Sequence, residues 1–171
     1  MNLVEFVITT PEQHLPFIAI DNRVRQTHGV IIDIIIHAND YIVLCAPYLK
    51  DLEIANPHIN TALIAALKRR VKLHVISTEI SIEEAKINQY KGFDVSIYTP
   101  KQKQNERNVQ SHAKFCLSDG KQVYLGSANF TFSGLNRNLE MGVYCKGNMA
   151  KQVESFWSYL IDNDFLIASK L

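Results

Sequence analysis

Apolar and polar positions fall into blocks along this chain, and the period inside each block predicts its element. Residues 2–9 alternate loosely and read as an edge strand or an extended arm, after which Pro11 and Pro16 bracket an irregular passage. Across 22–38 the apolar positions Val30, Ile31, Ile34, Ile35 and Ala38 recur at helical spacing. Their β-branching favours a strand on propensity, but period and length favour an amphipathic helix. Residues 41–46 form a continuous apolar run, as expected of a central strand buried on both faces, and Pro47 ends it. Asn56-Pro57 starts a helix, the asparagine capping it and the proline opening its first turn. Ile59, Leu63, Ile64 and Leu67 line one face, and Lys68-Arg69-Arg70 closes it with charges that suit a carboxyl end. Residues 71–77 make the next strand. Ser81-Ile82-Glu83-Glu84 has the form of a capping box, opening a third helix that stops near Gly92. A strand over 94–98 is broken by Thr99-Pro100, and 101–108 is a polar, aperiodic loop.

The last third is denser in signals. Residues 112–126 show two short apolar runs around Ser118-Asp119-Gly120, the pattern of a β-hairpin with an Asp-Gly turn. Residues 133–138 read as a polar turn and 139–145 as a strand. Asn148 is expected to cap a final helix whose apolar face is Val153, Phe156, Trp157, Leu160 and Ile161. Strands alternating with helices, then a hairpin, a strand and a helix, define an α/β fold: a mixed β-sheet sandwiched between helices, in one domain over 1–171.

Composition narrows the function classes. Hydrophobic residues make up 47% and charged residues 20%, ordinary for a globular chain, and the formal net charge of +1 leaves any nucleic-acid partner to local charge. The three cysteines, Cys45, Cys116 and Cys145, each lie in an apolar run and read as buried thiols in a reducing compartment. No Cys-x-x-Cys or His-Glu-x-x-His pattern supports a metal site, so neither metal nor cofactor is expected. The amino terminus has no basic n-region, and the apolar run at 30–36 is interrupted by Asp33 and too short to span a bilayer. A cytoplasmic protein with no stable membrane association is the expectation.

The chemistry gathers in the hairpin. Side chains alternate along a strand, so His112 and Lys114 share a face. The second strand ends in Gly126-Ser127-Ala128-Asn129, which can add a hydroxyl and an amide to the same place. A histidine, a lysine, a serine and an asparagine without a local carboxylate suit an anion, phosphate first of all. Taken singly each has a bland reading, an exposed polar face or a turn. Together, His112-x-Lys114-x4-Asp119-x6-Gly126-Ser127-x-Asn129 places six specified residues within eighteen positions.

That spacing resembles the HKD motif of the phospholipase D superfamily, and Glu140 stands where members often place a glutamate on the following strand. The resemblance implies a phospholipase D-like fold and a metal-independent phosphodiesterase in which one histidine attacks phosphorus to form a phosphohistidine. A second histidine protonates the leaving alcohol and then activates water. It implies a catalytic set of His112, Lys114, Asp119, Asn129 and Glu140, with Lys114 and Asn129 on the phosphate, Ser127 helping and Glu140 orienting His112. Asp119 belongs to the motif, but its position at the turn suits turn-forming and local pairing better than chemistry. Arg137, Arg107, Lys101 and Lys103 flank the motif, and Arg137 is carried as a substrate-binding candidate. Lys68-Arg69-Arg70 reads as a solvated helix end. Arg70 also stands where the family usually has glycine before its second strand.

The chemistry requires two histidines, yet the chain holds one motif; His14, His28, His37, His58 and His74 lack the lysine and the Gly-Ser-x-Asn strand. A homodimer with a composite site supplies the second His112, as in small single-motif endonucleases of the superfamily. The leading expectation is therefore a homodimeric DNA endonuclease. The alternatives are a phospholipid phosphodiesterase and a nucleic-acid-binding subunit of a restriction or phage-defence complex with little activity of its own.

Overall fold

In the computed structural model, which describes residues 2–11, 24–78, 82–83, 85–101 and 111–171, the apolar runs pair into one mixed nine-stranded sheet. The strands are β1 (Leu3–Thr9), β2 (Val24–Gln26), β3 (Tyr41–Cys45), β4 (Lys72–Ile76), β5 (Val95–Pro100), β6 (Phe115–Ser118), β7 (Gln122–Gly126), β8 (Glu140–Lys146) and β9 (Leu166–Lys170). Their order across the sheet is β2-β1-β8-β7-β6-β3-β4-β5-β9. β3, β4 and β5 run parallel, β6, β7 and β8 form an antiparallel meander, and β3 joins the two halves through its antiparallel pairing with β6. The helices are α1 (Thr27–Ile36), α2 (Leu52–Ala55), α3 (Pro57–Lys68), α4 (Phe132–Asn136) and α5 (Asn148–Asp162).

Each face of the sheet is covered. On one, Val30, Ile31, Ile34 and Ile35 of α1 and Ile59 and Leu63 of α3 are fully buried against Ile42, Leu44, Leu73 and Val75. On the other, Ala150 and Trp157 of α5 close over Val43, Cys45, Leu117 and Val123. Asn56 caps α3 as expected, accepting the Ile59 amide at 3.2 Å, with Pro57 as first helical residue.

Several elements differ from expectation. The segment 2–9 is not at the edge, because β2 pairs in parallel with β1 and covers it. That pairing takes Val24–Gln26 out of the expected helix, which begins at Thr27. The capping box rests on Ser81 and Glu84, which lie outside the described residues. Beyond it the chain makes a 3-10 turn, Ile87–Tyr90, entered through Lys86 at φ +50°, and Gly92 stands at φ +99°. Thr99-Pro100 does not break β5, whose last residues pair with Ile167 and Leu166 of β9, a strand the sequence reading lacked. The 133–138 turn is largely α4, capped by Thr131. Gly147 at φ +85° occupies the cap position of α5 and Asn148 opens the helix, while Phe156 lies exposed rather than on the apolar face. Of the expected loop at 101–108, all but Lys101 lies outside the described residues.

Strand register defines a functional end of the sheet. The last residues of β1, β3, β4 and β7 meet the first of β8 and β6 there: Thr9 pairs with Glu140, Gly126 with Gly142, and Phe115 with Cys45 and Leu125. The amino termini of α1 and α3 follow β2 and Asn56 at this same end.

Candidate active site

The hairpin forms where expected, with His112 and Lys114 in extended backbone just ahead of β6. The Gly126 amide donates to the Lys114 carbonyl at 3.2 Å, prolonging the ladder, and Ser127 donates its amide to the Met141 carbonyl at 3.0 Å. Beneath this segment the Cys45 thiol points to the Ala113 carbonyl at 3.6 Å and stands 3.9 Å from the Ser111 hydroxyl. Burial pushes that thiol up to about 12, so it is an inert tether and no nucleophile.

His112 is exposed, whereas Lys114 is buried, only 8% exposed. The Lys114 ammonium donates to His112 Nδ1 at 3.0 Å and to the His112 carbonyl at 2.8 Å. An ammonium has no lone pair, so Nδ1 accepts and the ring proton resides on Nε2. In this neutral form Nε2 is a hydrogen-bond donor. Burial lowers the pKa of Lys114 against the pull of Glu140, which marks a cation partly stripped of water and ready for an anion. Asn129 sits past the end of β7, half-buried, with Oδ1 buried and without a hydrogen-bond partner.

Glu140 is placed differently from expectation. Its carboxylate accepts from the Ser127 hydroxyl and, at 3.0 Å, from Asn138 Nδ2, not from its own His112. Ser127 is thus a support for Glu140, and its hydroxyl also accepts the Met141 amide at 3.1 Å. Asn138, which sequence reasoning left in a turn, fixes the carboxylate. Gly126 and Gly142 face each other in register, and a Cβ on either would collide with Tyr124, whose ring lies beneath both. Two glycines at paired positions were the available signal for that aromatic floor.

Asp119 lies away from the reacting end, and Arg137 is engaged on α4. Asp119 lies at the far end of the four-residue strand β6, at φ +53°, and forms no side-chain ion pair among the described residues. Its carboxylate accepts the backbone amides of Asn39, Asp40 and Tyr41 at 2.9, 3.0 and 3.0 Å. Partial burial opposes its charge, yet those three donors outweigh it and hold the carboxyl below its ordinary value. Asp119 ties the hairpin turn to the start of β3 and is structural. The Arg137 guanidinium stacks 4.8 Å over the Phe132 ring on the exposed side of α4. Arg69 is more than a solvated charge: its Nη2 donates to the Ile36 and Ala38 carbonyls at 3.2 and 3.1 Å, capping the end of α1. No three His, Cys, Asp or Glu side chains gather as a metal-binding group among the described residues.

A histidine bonded to a half-desolvated lysine, within reach of the Glu140 charge at the end of a mixed sheet, suits phosphoryl chemistry. The family profile described as cardiolipin synthase, PLD-like domain, matches residues 31–161, and the chain belongs to the phospholipase D superfamily as a phosphodiesterase. Among solved structures, NucT from Helicobacter pylori superposes with a TM-score of 0.72 at 16% identity, over 99% of this chain and 100% of that one. Nuc from Salmonella typhimurium, a phospholipase D family member, gives 0.67 at 20% identity over 100% and 99%. Phosphatidylserine synthase from Haemophilus influenzae Rd KW20 gives 0.69 at 10% identity, over 99% of this chain and 40% of its own length. These likenesses establish the fold. No curated protein matches the chain by sequence.

Proposed function

We propose that this chain, as one domain over 1–171, is a metal-independent DNA endonuclease that works as a homodimer through a covalent phosphohistidine. The observation that carries the reading is one exposed His112 held against a desolvated Lys114, in a chain whose sequence holds a single such motif. The nucleophile needs a neutral His112 with Nε2 bare, whereas the general acid needs the doubly protonated ring. One histidine cannot serve both roles in one step, so a second copy of His112 is required, and two-fold symmetry supplies it. Each His112 takes one role; Lys114 and Asn129 neutralise the phosphoryl oxygens. Because Glu140 does not meet its own His112, its orienting role is assigned across the dimer.

Further observations support this reading. Leu139 and Met141, on either side of Glu140, are 74% and 59% exposed, and Val4 and Phe6 continue the apolar surface along β1, a face that a second copy would cover. The three free, buried cysteines fit a reducing cytoplasm. No helix is long and apolar enough to cross a membrane among the described residues, and the structural likeness to Nuc and NucT spans nearly the whole chain. The test is cleavage of DNA, RNA and phospholipid side by side in EDTA. DNA cleavage that persists in the chelator is expected; cleavage abolished by EDTA and restored by magnesium would remove the mechanism. Lys114→Ala is expected to lower turnover by at least ~100-fold, as for loss of a transition-state donor.

A further inference from the structure

At the same end of the sheet as the candidate active site, a cleft of about 190 Å³ opens between β1, β2, the start of α1 and α4. Register fixes its place: Thr9, in its wall, is the last residue of β1 and pairs with Glu140 at that end of the sheet. Its cover, Leu135 and Asn136, belongs to the segment that joins Asn129 to Glu140, so cleft and site share a border.

The lining has a definite chemical character. Ile8 and Leu135 are apolar walls, and Thr10, Gln26 and His28 bring a hydroxyl, an amide and an imidazole. Among the described residues no lysine, arginine or carboxylate lines it, which makes that lining a poor seat for a phosphate or an ammonium group. Burial holds His28 below its ordinary pKa, against its hydrogen bond to the Leu135 backbone and helped by His58 nearby, so the ring is neutral at physiological pH. The Asn136 amide is committed, donating to the Ala55 and Phe132 carbonyls at 2.9 Å each, and sets the shape of the rim. The Gln26 amide makes no side-chain hydrogen bond among the described residues, and the Thr9 hydroxyl is buried, with the residue 5% exposed, and unpartnered. The uncommitted Gln26 amide is hydrogen-bonding capacity open to a ligand.

We propose that this cleft binds a nucleobase of the strand whose phosphodiester lies at His112, with apolar walls against its faces and Gln26 and His28 on its polar edge. The proposal rests on the nuclease reading and adds the substrate contact that reading lacks. A flat, uncharged group with donors and acceptors on its edge is the part of a nucleic acid that such a lining recognises.

The experiment compares wild type and the double variant Gln26→Ala/His28→Leu on single-stranded oligonucleotides carrying one abasic residue at successive positions around a defined cleavage point. A bis(4-nitrophenyl) phosphate assay serves as the base-free reference. For wild type, one abasic position beside the cleaved bond is expected to lower kcat/KM by about tenfold, the effect of one or two lost hydrogen bonds. In the double variant the ratio of oligonucleotide to base-free activity falls by a similar factor, and the abasic position no longer matters. Equal cleavage of intact and abasic strands by wild type, or an undiminished abasic effect in the variant, overturns the base site while leaving the nuclease reading standing. Hydrolysis of the small diester by wild type without cleavage of any oligonucleotide overturns both.

Discussion

Two residues with unusual backbone angles, one inside the motif and one outside it, serve architecture rather than chemistry. Asp119 sits in the left-handed region and gives its carboxylate to three amides of the 39–41 turn. Asp119→Ala is expected to cost roughly 2 kcal/mol, since charge-assisted bonds to backbone amides are lost and the amides left dry. Asp119→Asn should recover part of it, because asparagine tolerates the angle and keeps one acceptor. Urea unfolding measures both, and an activity loss in Asp119→Asn larger than its loss of folded protein would return Asp119 to the catalytic set. Arg70 at φ +71° occupies the site where the family usually carries glycine. Its side chain gains nothing from that angle, so Arg70→Gly should raise stability by roughly 0.5 kcal/mol, the left-handed cost less the extra freedom of the unfolded chain. A lowered urea midpoint would contradict this.

At the scale of elements, burial decides where propensity and pattern disagree. In α1 the β-branched residues each cost about 0.5 kcal/mol in helix propensity, but Val30, Ile31, Ile34 and Ile35 are fully buried, worth about 1.5–3 kcal/mol apiece. The helix therefore stands, and Ile34→Ala should lower stability by about 2–5 kcal/mol, measured by the urea midpoint. A loss under about 1 kcal/mol would mean the site collapses around the deletion. The elements legible in the sequence were those with a local cause: the Asn56-Pro57 cap, the run of β3 and the hairpin around Asp119-Gly120. The missed ones depend on distant partners. β2 is three residues that become a strand only beside β1, and β9 shows a single buried residue, Leu166, so no alternation marks it. In the site, His112 with Lys114 was legible because two residues on extended backbone must share a face. The bond from Asn138 to Glu140 and the Tyr124 floor under Gly126 and Gly142 arise where separate strands meet, which spacing along one strand does not encode.

For the whole molecule, two half-buried imidazoles set the acid side of the stability profile. His28 and His74 are both held below 6.5 by burial, His74 with its ring 5.2 Å from that of Trp157 and its Nδ1 3.2 Å from the Tyr98 hydroxyl. Since the unfolded chain takes up these protons first, stability falls as the pH drops below 6.5, and the loss ends once the folded rings are also charged. Asp119 adds a second loss at lower pH, as its depressed carboxyl is protonated below 3.8. His74→Phe should flatten the first limb of urea midpoint against pH; an unchanged slope would place the titration elsewhere. The central claim is that each chain holds half a catalytic centre and that a working site needs His112 from two copies. Co-refolding wild type with His112→Ala in varied proportion, and measuring phosphodiester cleavage in EDTA, tests it most directly. If both copies are required, activity follows the square of the wild-type fraction, leaving about one quarter at equal proportions, whereas independent sites leave about one half and would contradict the composite site.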